Sequence, residues 1–165
     1  MTRRCAMEQK ALSKWLKLVL LGVGLCGLAV YLGVIPGYGV SLRSLYPEFS
    51  NRFWPWLIFI WVSGLPCYAA LALGWRIAGN IGRDRSFSMD NARCLRTISL
   101  LAALDAAYFF LGNLVLLFLN MSHPGVVLMS LLVVCAGAAV AVVAAALSHL
   151  VRKAALLQEE NDLTI

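Results

Sequence analysis

An aspartate inside a long apolar stretch is the residue of this sequence best suited to chemistry. Asp105 lies nine residues after Arg96, about 13 Å along a helix, in a run rich in alanine, leucine and phenylalanine. A charge at the centre of a bilayer costs at least about 2.5–3.5 kcal/mol, so we expect this carboxyl to face other helices or to be neutral. Tyr108, Gly112 and Asn113 follow on or near the same helical face.

Two interpretations of Asp105 stay open. As a functional group it would handle protons or cations in a small transporter or ion-conducting subunit, with Asn113 and a helix kink at Pro66 as the other contributions. As a structural group it would tie its helix to a neighbour, which is the interpretation that the sequence favours. The expected partners on other spans are Ser63, Tyr68 and Ser130.

The other patterns that look chemical are weak. Residues 22–27 match the glycine spacing of dinucleotide-binding loops, but they lie inside an apolar run instead of between a strand and a helix. The two histidines, His123 and His149, are predicted on opposite membrane faces, and the five cysteines lack metal-ligand spacing. The sequence therefore predicts no catalytic residue, no metal and no cofactor, which argues against an enzyme.

Membrane helices are the elements that must hold these groups. The chain has 165 residues, of which 61% are hydrophobic and 13% charged, with a mean hydropathy of +0.81. Soluble domains have about 45–50% apolar and about 25% charged residues, and disorder requires low hydrophobicity. A soluble globule and a disordered chain are both excluded.

Four apolar blocks are each long enough to cross a bilayer as a helix, which needs about 20 residues. They cover residues 18–35, 54–77, 98–119 and 126–147. The predicted fold is all-α: a four-helix bundle in the membrane, forming one domain over residues 1–165.

Local signals predict where these helices begin and end. Pro36 and the glycines after it are expected to end the first helix. The third helix should begin near Met89, with Ser88 as its N-cap. An apolar stripe beyond residue 147 predicts that the fourth helix continues to about Glu160, within a tail over residues 148–165. The residues of that stripe are Leu147, Leu150, Val151, Ala154 and Leu157.

Lysine and arginine are distributed unevenly between the two sides of these spans. Twelve of the fourteen lie before the first span, between the second and third, or after the fourth, and two lie on the other side. The positive-inside rule therefore predicts a multi-pass protein of the bacterial inner membrane with both termini in the cytoplasm. Anionic lipid headgroups, and not nucleic acid, are the first explanation for the net charge of +6.

Small residues recur along three spans. Such ridges let helices approach closely, and we expect them to pack within the bundle, with homodimerisation through one ridge as the alternative. The ridges are Ala29 and Gly33; Ala70, Gly74 and Ala78; and Gly137, Ala141 and Ala145.

Two segments of the predicted cytoplasmic side are candidate contacts for a partner protein. One is the loop between spans two and three, whose arginines serve either topology and lipid binding or docking. The other is the acidic chain end, for which three interpretations stay open. It is a solvated end, it folds back on those arginines, or a partner protein binds it. The residues that we expect to bind are Arg83, Arg85, Phe87, Glu160, Asn161, Asp162 and Leu163.

Four local patterns in this order and layout resemble the YoaS-like bacterial membrane proteins, a family of unknown function, over nearly the whole chain. They are Tyr46-Pro47-Glu48, Ser86-Phe87-Ser88, Pro124-Gly125 and the ending Glu160-Asn161-Asp162-Leu163-Thr164-Ile165. Genes of this family often neighbour a small helix-turn-helix regulator of the Cro/C1 type. The resemblance thus implies a cytoplasmic partner that contacts the ending, whereas Asp105 is not part of the family pattern.

Overall fold

The chain folds into long helices. The computed structural model describes residues 2–45, 53–122 and 124–163, and no strand occurs in these ranges. The helices are α1 (Thr2–Ala29), α2 (Ile35–Leu45), α3 (Phe53–Ile81), α4 (Met89–Phe118) and α5 (Pro124–Leu163), and a π-helical segment, Val30–Val34, joins α1 to α2. Within the described ranges, four segments are long and apolar enough to cross a membrane: Met7–Ser41, Phe53–Ile81, Met89–Phe118 and Gly125–Asn161. The prediction of an all-α fold with four membrane-spanning helices is confirmed.

Each spanning helix packs antiparallel on the next one in the chain. α3 lies between α1 and α4, and α4 lies between α3 and α5. In the part of the chain that the structure describes, α1 does not contact α4 or α5, so α1 and α5 form the two edges of the bundle. Most large apolar side chains consequently face outward, where a bilayer solvates them.

Small residues hold α5 close to α4, as their spacing predicted. A Cβ atom added to Gly137 would lie 3.2 Å from the Cβ of Ala106, and Ala141 is buried. The Ser99 hydroxyl donates to the carbonyl of Ala141 at 2.8 Å. Because lipid provides no hydrophobic drive between helices, this close approach and these interhelical hydrogen bonds stabilise the pair.

The ridge of the first span does not pack inside the bundle. Ala29 and Gly33 are exposed, and nothing lies within 4 Å of a Cβ added to Gly33. By contrast, Gly74 of α3 lies against Leu20, and Ala78 is 1% exposed. Only the ridges of the second and fourth spans therefore meet a neighbouring helix.

The first spanning helix continues through Pro36, so the prediction that it ends there is wrong. In Val30–Val34 the backbone is π-helical, and the N–H of Ile35 donates to the carbonyl five positions back. The carbonyl of Tyr31 thereby loses its usual donor, and the next nitrogen along the chain belongs to Pro36, which carries no hydrogen. The indole N–H of Trp61 on α3 donates to that carbonyl at 3.0 Å instead.

The ends of α4 follow the chemistry of their capping residues. Ser88 has an extended backbone and accepts a hydrogen bond from the N–H of Asn91, which confirms it as the N-cap. At the other end Asn120 adopts a left-handed conformation with a φ of 53°. The N–H groups of Asn120 and Met121 donate to the carbonyls of Leu117 and Leu116, which closes the helix in a Schellman motif.

α5 extends to Leu163, in agreement with the predicted long fourth helix. Its buried face differs from the predicted apolar stripe, because Leu147, Leu150 and Leu157 are exposed while Ala155 is buried. The Ser148 hydroxyl lies on the α4 side and donates to a backbone carbonyl there. Small residues permit the close approach of α5 to α4, so the large leucines point away from the contact.

Candidate functional site

A buried asparagine organises the loop between α3 and α4. Asn91 is 1% exposed, and its amide nitrogen donates to the carbonyls of Arg85 at 3.0 Å and of Ser86 at 2.9 Å. Its side-chain oxygen accepts from the amide of Asn80 on α3 at 2.7 Å. A buried amide with its donors and acceptor satisfied holds the loop backbone in one conformation.

A bidentate ion pair lies beside this asparagine. Arg76 donates to Asp90 through Nη2 at 2.7 Å and through Nε at 3.2 Å, and Asn80 donates to Asp90 at 2.9 Å. These contacts join the end of α3 to the first turn of α4, where a carboxylate also interacts favourably with the helix dipole. We call Arg76, Asn80, Asp90 and Asn91 the loop hub.

The loop that the hub holds presents its own side chains outward. Arg83 and Arg85 are exposed, and Phe87 is 59% exposed. Asp84 adopts a left-handed conformation with a φ of 61°, which aspartate tolerates better than most residues. The N–H groups of Arg83 and Arg85 both donate to the carbonyl of Asn80, so the backbone of the turn is also hydrogen-bonded to α3.

The predicted contact residues of the chain end belong to the last turns of α5. Glu160 and Asn161 are exposed there, and the side chains of Asp162 and Leu163 lie outside the described part of the chain, as do Thr164 and Ile165. Ser148 lies level with Ala92 near the start of α4, and α5 continues for fifteen further residues, about 22 Å. α5 therefore extends past the start of α4 on the side of the α3–α4 loop.

A second set of polar residues lies within the apolar stretches of the spanning helices. The Cys67 thiol on α3 donates to Oδ2 of Asp105 at 3.6 Å. Among the described residues, no donor reaches Oδ1 of Asp105, although that atom is buried. The expected partners Ser63, Tyr68 and Ser130 are wrong, because their hydroxyls bond elsewhere, and a cysteine takes their place.

The first span contributes a tyrosine to the same region. The hydroxyls of Tyr31 and Ser63 lie 3.4 Å apart, and Ser63 is one helical turn from Cys67 on the same face of α3. On α4 the Tyr108 hydroxyl, one turn from Asp105, donates to the carbonyl of Phe59 on α3. Tyr31, Ser63, Cys67, Asp105 and Tyr108 are called the intramembrane cluster below.

Asn113 does not join the intramembrane cluster. It is buried, and its amide donates to the carbonyl of Phe109 on its own helix at 2.8 Å. It lies eight residues from Asp105, about 12 Å along α4. The two intramembrane polar residues singled out from the sequence are thus separate, and Asn113 satisfies its own helix.

Sequence reasoning missed the residues that do the positioning. Asn80 and Asn91 lie eleven apart on either side of a turn, and nothing in their types distinguishes them from solvated loop residues. Cys67 follows Pro66 directly, which suggested a kink but no hydrogen bond. The spacing of polar residues could have indicated the intramembrane cluster. Polar groups four residues apart on one span, such as Ser63 and Cys67, lie on the same face of the helix.

The fold and these two polar sites define a small multi-pass helical membrane protein. The chain belongs to the family described as protein of unknown function (DUF2975), whose model matches residues 37–165. It is 28% identical over 152 residues to the uncharacterized membrane protein YoaS of Bacillus subtilis (strain 168). The aligned region covers 90% of this chain and 92% of the relative. The resemblance stated from the sequence is confirmed. No solved structure matches the chain.

Proposed function

We propose that this protein is a non-enzymatic membrane anchor or sensor that binds a small helix-turn-helix regulator on the cytoplasmic side. The main support for this proposal is the loop between α3 and α4. The buried amide of Asn91 bonds the backbone carbonyls of Arg85 and Ser86. The side chains of Arg83, Arg85 and Phe87 nevertheless remain exposed. A loop held in one conformation loses less entropy on binding than a mobile loop does.

The charge distribution and the long fifth helix support the same proposal. The excess of lysine and arginine around this loop favours a cytoplasmic location for the loop by the positive-inside rule, and the end of α5 would lie on the same side. Arginine and exposed aromatic residues are the types that most often dominate binding energy in protein interfaces. The regulator would contact the loop and the acidic end of α5, including Glu160, Asn161, Asp162 and Leu163.

Charge reversal in the loop tests the docking proposal. We expect the double substitution Arg83→Glu and Arg85→Glu to weaken binding of the regulator by at least about tenfold, because close charge complementarity is lost. The measurement is the affinity of the detergent-solubilised full-length protein for a purified small helix-turn-helix regulator of the Cro/C1 type. Deleting residues 161–165 should also abolish that binding while membrane insertion persists.

A matched control separates docking from a general charge effect. The double substitution Arg152→Glu and Lys153→Glu makes the same change in net charge on exposed residues of α5, and it should leave the affinity within about twofold. If the loop variant binds as tightly as the parent protein, the loop is not the contact surface and the proposal fails.

A second candidate function rests on the intramembrane cluster. Asp105 has one thiol donor and one buried oxygen that no described residue satisfies. Intramembrane carboxyls are costly and commonly mark proton or ion paths. The first span has a π-helical segment at Val30–Val34, and Pro66 removes one backbone donor inside α3; transporters use departures from regular helix geometry of this kind to line their binding sites.

Proton flux in liposomes tests this second candidate. We expect the parent protein to dissipate an imposed pH gradient, reported by a trapped pH-sensitive dye, and Asp105→Asn to stop the flux because an amide carries no exchangeable carboxyl proton. Asp105→Glu keeps the carboxyl and should retain flux, which provides the matched control. Absence of flux from the parent protein discards the candidate.

A further inference from the structure

An apolar groove runs along the membrane-facing junction of α1 and α3. It has a volume of about 320 Å³. Its walls include Leu20, Gly24 and Leu28 of α1, and Tyr68, Leu71 and Trp75 of α3. From Trp75 to Tyr68 it extends about 10 Å along the helix, which is one third of a hydrocarbon core of about 30 Å. The groove is therefore short enough to lie within one leaflet.

A lysine lies at the surface end of this groove. The Lys17 ammonium is 5.5 Å from the centroid of the Trp75 ring. It is also 4.0 Å from a Cβ added to Gly79, so the side chain reaches from α1 across to α3. Lysine commonly extends along apolar surface in this way to place its charge at the headgroup level, where tryptophan is also enriched.

We propose that this groove binds an anionic phospholipid, with one acyl chain along the α1–α3 wall and the phosphate on the Lys17 ammonium. The groove walls match an acyl chain because they are apolar and open to the bilayer, and the lysine at the end supplies charge complementarity to the headgroup. The inference is independent of the proposed regulator and of the direction in which the chain crosses the membrane.

A second groove on the molecule lacks this combination. It lies between α4 and α5 and is lined by apolar residues alone: Leu95, Ala139, Val140, Val143, Ala144 and Leu147. An uncharged lipid chain fits that surface as well as a charged lipid does. The pairing of an apolar wall with a lysine is what distinguishes the α1–α3 groove.

Lipid contact at Trp75 tests the proposal. The full-length protein is reconstituted in phosphatidylcholine vesicles that contain either brominated phosphatidylglycerol or brominated phosphatidylcholine. Trp75 emission is taken as the difference between each protein and its Trp75→Phe counterpart, normalised to vesicles without bromine. We expect phosphatidylglycerol to occupy the groove with about fivefold preference, and Lys17→Gln to reduce this preference to about one.

Two variants separate the lysine from its surroundings. Lys17→Arg keeps the charge and should keep the preference, and Lys14→Gln removes an exposed charge one turn away and should also keep it. Ala72→Phe fills the groove and should reduce quenching by both brominated lipids. Equal quenching by the two lipids in the parent protein, or an unchanged preference in Lys17→Gln, overturns the proposal. Added inorganic phosphate should not reduce the quenching, because the acyl chain is required.

Discussion

Replacing Asn91 by alanine is expected to lower the free energy of unfolding by about 2–4 kcal/mol. The substitution removes three hydrogen bonds at once and leaves the carbonyls of Arg85 and Ser86 and the amide of Asn80 without the partner they have in the folded protein. Losing one partner of a buried hydrogen bond costs about 1–3 kcal/mol, and the loop surface can recover part of that cost through water.

Equilibrium unfolding in mixed micelles, followed by circular dichroism, measures this loss. Asn113→Ala is the matched control, because Asn113 is also a buried asparagine, and within the described residues its amide donates to a carbonyl of its own helix. The control should lose about 1 kcal/mol or less. If the two variants lose the same free energy of unfolding, the interhelical and loop hydrogen bonds of Asn91 add nothing to stability beyond the burial of an amide.

Replacing Asp105 by leucine should have the opposite sign and raise the free energy of unfolding by about 1–3 kcal/mol. The carboxyl lies among apolar helices with a thiol, a weak donor, on one oxygen and no described donor on the other. A buried polar group with incomplete hydrogen bonding is less favourable than an apolar side chain of similar shape. Leucine also matches the apolar side chains around it.

The same unfolding measurement tests this second prediction, with Ser99→Ala as its control. Ser99 lies on the same helix, and its hydroxyl is satisfied by the carbonyl of Ala141. Its removal should cost about 0.6 kcal/mol, the usual value for a hydrogen bond between membrane helices. Destabilisation by Asp105→Leu would identify the carboxyl as the structural tie that the sequence favoured. Stabilisation would indicate that the residue serves a function at the expense of stability.

Together the two predictions assign different roles to the two polar sites. The buried amide of Asn91 in the loop hub has partners for its nitrogen and its oxygen, as expected for a residue that fixes a backbone conformation. The intramembrane cluster is incompletely satisfied at Asp105, as expected where local stability is exchanged for activity. Each outcome can occur without the other, because the hub and Asp105 lie about fourteen residues apart on α4, which is about 21 Å.

The sequence by itself determined the number of spanning helices and the start of α4, because apolar length and helix caps are local properties of the chain. Ser88 and Met89, for example, mark the start of α4 without reference to any other helix. Membership of the family also followed from short local patterns and was confirmed by comparison.

Only the tertiary structure decided which polar groups meet. The partner of a side chain depends on how each helix is rotated about its axis, and adjacent residues differ by about 100°. Cys67 therefore replaced the expected partners of Asp105, and an indole from α3 bonds the Tyr31 carbonyl where the first spanning helix continues through Pro36. The loop hub arose for the same reason, since Asn80 and Asn91 meet only when α3 and α4 pack antiparallel.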